Sequence, residues 1–167
     1  MNDIRLSKHF KLSEFIKSST ATERGIDNTL ASTGSPEGCQ FVISNLQALC
    51  ENVLEPLREY ANTSCPFKGN KGQIPIIISS GYRCAALNLA VGGVANSNHL
   101  YGYAADIHIP DVATGTDWFN WMRNHLLYDE LIKERESASS TSFWIHVAFR
   151  QDKENRMKVK ENLVKRK

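Results

Sequence analysis

Between positions 36 and 60 apolar residues return every three or four places: Cys39, Ile43, Leu46, Leu49 or Cys50, Val53, Leu57 and Tyr60. That spacing gathers them on one face of a helix. Ser35 stands where an N-cap belongs, and Pro36 suits the first helical position because its missing N–H has no partner to lose there. Pro56 predicts a kink or break near the far end. The β-branched run Ile74-Pro75-Ile76-Ile77-Ile78-Ser79-Ser80 reads as a buried strand, with Pro75 at its start and Gly81 at its end. Residues 84–91 read as a short helix closed by Gly92-Gly93. A loop over 94–98 leads into 99–109, whose second half alternates like a strand as far as Pro110. Thr116 is the expected cap of a helix over 117–126. Two strand-like runs follow, 128–133 and 143–149, on either side of a Ser-rich loop over 137–142.

The first 36 residues carry less pattern. Phe10, Leu12, Phe15 and Ile16 can dock on the body, and Ser13-Glu14-Phe15 can open a short helix. Residues 19–36, rich in Ser, Thr, Gly and Asn, read as loop. The chain therefore divides into an N-terminal arm (1–36) packed on the body, one domain (37–150) and a basic C-terminal tail (151–167). No internal repeat is visible. The expected fold is α+β, a single domain with a small, mainly antiparallel sheet flanked by helices.

Charge refines that division. Across 167 residues, Lys+Arg number 20 and Asp+Glu 18, a net +2. Residues 150–167 carry eight Lys/Arg against three Asp/Glu, a balance of +5, which leaves −3 for residues 1–149. A mildly acidic body speaks against nucleic acid as the partner. No stretch approaches the roughly 20 apolar residues that span a bilayer. The start, Met1-Asn2-Asp3-Ile4-Arg5, lacks the apolar core of a secretory signal, so synthesis in the cytoplasm is expected. Cys39, Cys50, Cys65 and Cys84 contain no Cys-x-x-Cys pair and are expected to be free thiols.

Five histidines are candidates for chemistry. His9, in the polar arm, and His125, near a helix end, read as solvated or capping residues. His99 and Asp106 are joined by a segment holding Gly102 and two alanines, small enough to let both side chains reach one point. In 143–149 alternation turns Ile145, Val147 and Phe149 to one face and Trp144, His146 and Ala148 to the other. The first set is core. A histidine turned away from it, on so apolar a strand, needs a partner. Two imidazoles and a carboxylate make a three-ligand zinc set with one open position. Spacing alone leaves open ordinary hydrogen-bonded polar residues, and His108 competes, since it shares a strand face with Asp106.

A resemblance goes further. Ser80-Gly81-Tyr82-Arg83, Leu87-Asn88, Val91-Gly92-Gly93, the run from Ser97-Asn98-His99 through Gly102, Ala104 and Asp106, and finally Trp144-Ile145-His146 resemble the signature of the M15 zinc peptidases. That family holds D-alanyl-D-alanine carboxypeptidases, D-Ala-D-Ala dipeptidases and phage L-alanyl-D-glutamate endolysins. The arm (His9-Phe10-Lys11-Leu12-Ser13-Glu14-Phe15, then Gly25-Ile26-Asp27-Asn28) resembles a subgroup of it common in phage and Bacteroides-type genomes, so the resemblance spans most of residues 8–150.

The resemblance implies one Zn2+ per chain, set in a cleft and bound by His99, Asp106 and His146, with His108 reduced to a neighbour. It implies that Arg83 faces substrate, and that Ser97 either hydrogen-bonds substrate or steadies the His99 loop. Many members carry Glu-x-x-His as the source of the general base, but positions 141–145 hold no carboxylate here. The subgroup's Asp-Gln-Leu-Ile-x-Glu is matched instead by Asp129-Glu130-Leu131-Ile132-Lys133-Glu134, which makes Glu134 the expected base and Glu136 the second candidate. The implied activity is hydrolysis of peptidoglycan stem peptides, at D-Ala-D-Ala or at an L-Ala-D-Glu-type bond; a monomer is expected, and its start fits a phage-type lysin released to the wall and a cytoplasmic enzyme equally. The competing reading is a non-catalytic zinc-stabilised binding or phage structural module, since the fold also resembles the zinc-bearing domain of hedgehog proteins.

Overall fold

A computed structural model describes residues 3–69 and 72–164, with backbone alone at 162–164. The fold is α+β. Its sheet holds β1 (Ile77–Ser80), β2 (Ala104–His108), β3 (Glu130–Arg135), β4 (Trp144–Ala148) and β5 (Lys158–Val164) in the order β1-β2-β4-β3-β5. Every pairing is antiparallel except that of β3 with β5. The helices are α1 (Leu12–Ile16), α2 (Ser19–Arg24), α3 (Pro36–Leu49), α4 (Glu55–Thr63), α5 (Ala85–Ala90) and α6 (Val112–His125).

The expected long helix is continuous but changes pitch. Ser35 caps α3 by accepting from the Gly38 amide. Over Cys50–Leu54 the backbone widens into a π turn, and α4 follows with Pro56 in its first turn. Proline offers no N–H to the Asn52 carbonyl four residues back and its ring would strike that group, so a wider turn accommodates both. The predicted break is thus a swelling. Leu46, Leu49, Val53 and Leu57 are fully buried. They share one core with Ile107, Leu131, Ile145 and Val147 of the sheet and Trp118, Phe119 and Met122 of α6. All four cysteines are free, and burial pushes the Cys50 thiol above its ordinary range.

Four expectations are corrected. Residues 19–36 are not all loop: α2 is capped by Ser18 and ended by the left-handed Gly25, and Leu30–Thr33 forms a 3-10 turn. Only Ala21 of α2 is buried, so no apolar period announced it. The strand at 74–80 begins at Ile77 and is a half-exposed edge rather than a buried strand, because Pro75 cannot donate to a ladder. The helix expected at 117 starts at Val112, with Asp111 accepting from the Thr114 amide and hydroxyl. Finally, the supposed tail is β5, whose Lys158, Val159 and Lys160 lie beside Glu130, Leu131 and Ile132. Side chains hold it there: Glu161 meets Lys133 and Arg123, and the guanidinium of Arg156 grips the fully buried Asp129 through two bonds of 2.8 and 2.6 Å. Residues 165–167 lie outside the described chain.

The arm is built into the body. Phe10 and Phe15 are buried edge to face. The Phe15 backbone passes so near Gly81 that a Cβ there would lie 2.7 Å from it. Asn28, itself buried, donates to the carbonyls of Ile16 and Tyr82 and accepts from the Cys84 amide at 2.8 Å. One side chain therefore ties the arm to the turn between β1 and α5.

Gly102 closes the turn that delivers the chain to β2. Its φ is +74°, and a Cβ would stand 2.8 Å from the Val42 carbonyl. Gly102→Ala is expected to cost about 1–3 kcal/mol, from left-handed strain together with that clash. Urea unfolding measures it; an unchanged midpoint would refute the close packing of this turn on α3.

Candidate metal centre

Three elements converge on one face of the sheet. Asp106 and His146 are directly opposite across the β2–β4 ladder, so alternation turns both the same way. His99 arrives from a 3-10 turn at Asn98–Tyr101, which Ser97 caps by accepting from the His99 amide. Of the two roles open to Ser97, steadying the His99 loop is the one this contact serves. His99, Asp106 and His146 are all buried.

Their donor atoms form a triangle. His146 Nδ1 lies 2.9 Å from Asp106 Oδ1, His99 Nε2 lies 3.2 Å from the same oxygen, and the two ring nitrogens are 3.2 Å apart. Donors bound tetrahedrally at about 2.0–2.2 Å are separated by roughly 3.3 Å, so these three atoms resemble one face of a zinc tetrahedron. Among the described residues they are also the group of histidine, cysteine and carboxylate side chains close enough to hold a cation. The remaining atoms are oriented for it. His99 Nδ1 donates to the Gly81 carbonyl at 2.6 Å, which leaves Nε2 with its lone pair toward the triangle. Asp106 keeps Oδ1 for the triangle and accepts from Arg83 at Oδ2, at 2.7 Å.

Burial opposes charge at all three positions, and the outcome differs at each. Burial lowers the His99 pKa below its ordinary value, against the pull of Asp106. Burial disfavours the Asp106 carboxylate too, yet His99 and His146 outweigh it and hold the group well below the usual carboxylate range. Burial likewise works against a charged His146, but Asp106 and Glu130 overcome it and push the imidazole up to about 10.

Around it stand the other expected residues. Arg83 is pinned by Asp106 and by the Ser80 hydroxyl at 2.9 Å, so its placement is fixed by the site itself. Glu134 lies opposite Trp144 on β3, two residues from the His146 partner Ile132, hence on the same face. It is partly buried, and that burial raises its pKa while His146, Asp106 and Arg83 act on it from nearby. Glu136 is exposed beyond the end of β3. His108 is exposed at the end of β2, beside a separate groove of about 580 Å³ that Lys17, Thr22 and Ile77 help to line. It is not part of the triangle. Two contributors escape the sequence pattern: the Gly81 carbonyl, since any residue offers one, and Glu130, whose signal was only its strand parity with Glu134.

Residues 8–148 match the family model described as Peptidase M15. A zinc D-Ala-D-Ala carboxypeptidase of Streptomyces albus G is 47% identical over 36 residues, which cover 22% of this chain and 14% of the relative. The chain thus matches a small part of that relative's length.

Proposed function

The chain belongs to the M15 peptidase family, and from that premise we propose that it is a zinc-dependent peptidase acting on the stem peptides of bacterial peptidoglycan. The observation that carries the reading is the triangle of His99 Nε2, Asp106 Oδ1 and His146 Nδ1, with Glu134 on the same sheet face.

Those three atoms would hold one Zn2+, which when bound supplies a Lewis acid for the scissile carbonyl and lowers the pKa of water at the open position. Glu134 takes the proton of the attacking water and returns it to the leaving amine. Its burial favours that role, since a raised pKa makes the carboxylate a better proton acceptor near neutrality. Arg83 offers the remaining guanidinium N–H groups to a substrate carboxylate or to the carbonyl oxygen as charge develops there. Asp106 keeps that fork in a fixed plane.

Digestion of purified muropeptides by the zinc-loaded protein, followed by mass spectrometry, tests the reading. Release of a terminal D-Ala or cleavage at an L-Ala-D-Glu-type bond is expected, and the fragments identify the bond. Intact muropeptides would refute the substrate class. Arg83→Ala is expected to lower kcat/KM about a hundredfold with zinc content retained; unaltered kinetics would remove Arg83 from substrate binding.

A further inference from the structure

His146 reaches the triangle through Nδ1, so in a metal-binding tautomer its proton resides on Nε2. That nitrogen faces Glu130 Oε2 at 3.8 Å, an ion-pair separation slightly longer than a direct hydrogen bond. Glu130 is held from three directions. Lys158 donates to Oε1 at 2.9 Å, Arg156 stands 3.3 Å from the same oxygen, and Asn98 donates to Oε2 at 3.2 Å. Lys158 and Arg156 come from the C-terminal segment, and Asn98 directly precedes His99. One carboxylate therefore touches the strand of one histidine, the turn of the other, and β5 with its approach.

We propose that Glu130 is a positioning residue for His146, and that β5 holds it in place. Its Oε2 keeps the imidazole turned so that Nδ1 points to the metal position, while Asn98 ties that orientation to the segment bearing His99. This rests on the zinc reading above. Position 130 is also where the chain departs from the Asp-Gln-Leu-Ile-x-Glu pattern, so the charge is a property of this sequence. A surface ion pair alone would contribute little. Here the carboxylate side chain is only 17% exposed and its partners are fixed by strand register, Glu130 lying directly beside Lys158.

Zinc affinity, measured by competition with a chromophoric chelator, separates positioning from plain cross-strand pairing. Glu130→Ala is expected to weaken zinc about 10–100-fold, the range for losing a carboxylate behind a metal-binding histidine. Glu130→Gln, which keeps an oxygen acceptor, is expected to recover most of that loss. In the zinc-loaded proteins, nitrogen-15 shifts of the His146 ring should show Nδ1 as the metal-bound nitrogen in Glu130→Gln and a mixture of Nδ1 and Nε2 coordination in Glu130→Ala. Lys158→Met should weaken zinc less, and add nothing in the Glu130→Ala background; full additivity would overturn the share given to β5. Folded Glu130→Ala that binds zinc as tightly as the parent would overturn the positioning role. His99→Ala serves as the control: if that variant retains zinc, the metal reading itself fails, whatever Glu130 does.

Discussion

His146→Ala is expected to yield a folded protein that binds no stoichiometric zinc and hydrolyses no peptide bond. The imidazole supplies one corner of the triangle, and its removal leaves His99 and Asp106, two donors where a structural minimum of three is needed. It also removes one of the two imidazoles that offset the burial of Asp106, although His99 remains and Arg83 still holds Oδ2. Elemental analysis beside a peptidase assay reads both effects; a purified variant with unchanged zinc would exclude His146 as a ligand. The same residue gives the parent protein a pH signature. Burial resists charge on His146, but Asp106 and Glu130 hold its pKa up near about 10, so below that value zinc must displace a proton to bind. Apparent zinc affinity should therefore rise with pH, by about tenfold per unit while that proton is the one displaced.

Glu134→Gln should show the opposite split: zinc retained, turnover reduced by about 10²–10⁴-fold, the usual contribution of a positioned general base. The amide is nearly isosteric and touches none of the three donors, so metal content is its internal control. Burial raises the Glu134 pKa, and the base must be ionised to act. The acidic limb of kcat/KM should consequently lie above the ordinary glutamate range and fall away as pH drops through it. Near-normal hydrolysis by the variant would transfer the role elsewhere. Glu136 is the next carboxylate along the chain, but its exposure past the end of β3 makes it the weaker candidate.

What could be read in advance follows the reach of each signal. The apolar period of 36–60 and the alternation of 143–149 are local, and both elements formed where the pattern put them. Alternation alone also turned His146 away from the core, and the pairing of Asp106 with His146 gave it the required partner. The ordered motifs supplied the third corner, His99, from a turn that no periodicity describes. The unread parts depend on tertiary partners. A run as charged as Lys158–Val164 pairs as a strand where Glu130 meets Lys158 and Lys133 meets Glu161, with Asp129 holding Arg156 just ahead of it. Asp111 outranked Thr116 as a cap because its carboxylate accepts from both the amide and the hydroxyl of Thr114, and Gly115 in the first turn fits closely against Ile109. Glu130 looked like one more charge at a strand end until register placed it behind a histidine.

Asn28 gives the arm a measurable energy. The Cys84 amide is protected by that side chain and the Arg83 amide by the His99 carbonyl, at 2.8 and 3.1 Å. Neither hydrogen belongs to a strand or helix ladder, so each exchanges with solvent when its partner swings away rather than when the sheet unravels. Exchange at Cys84 then reports the free energy of arm release, and exchange at Arg83 that of parting the turn from the histidine it supports. If the two amides exchange with one shared free energy, below that of global unfolding, the arm acts as a latch on the turn that carries His99.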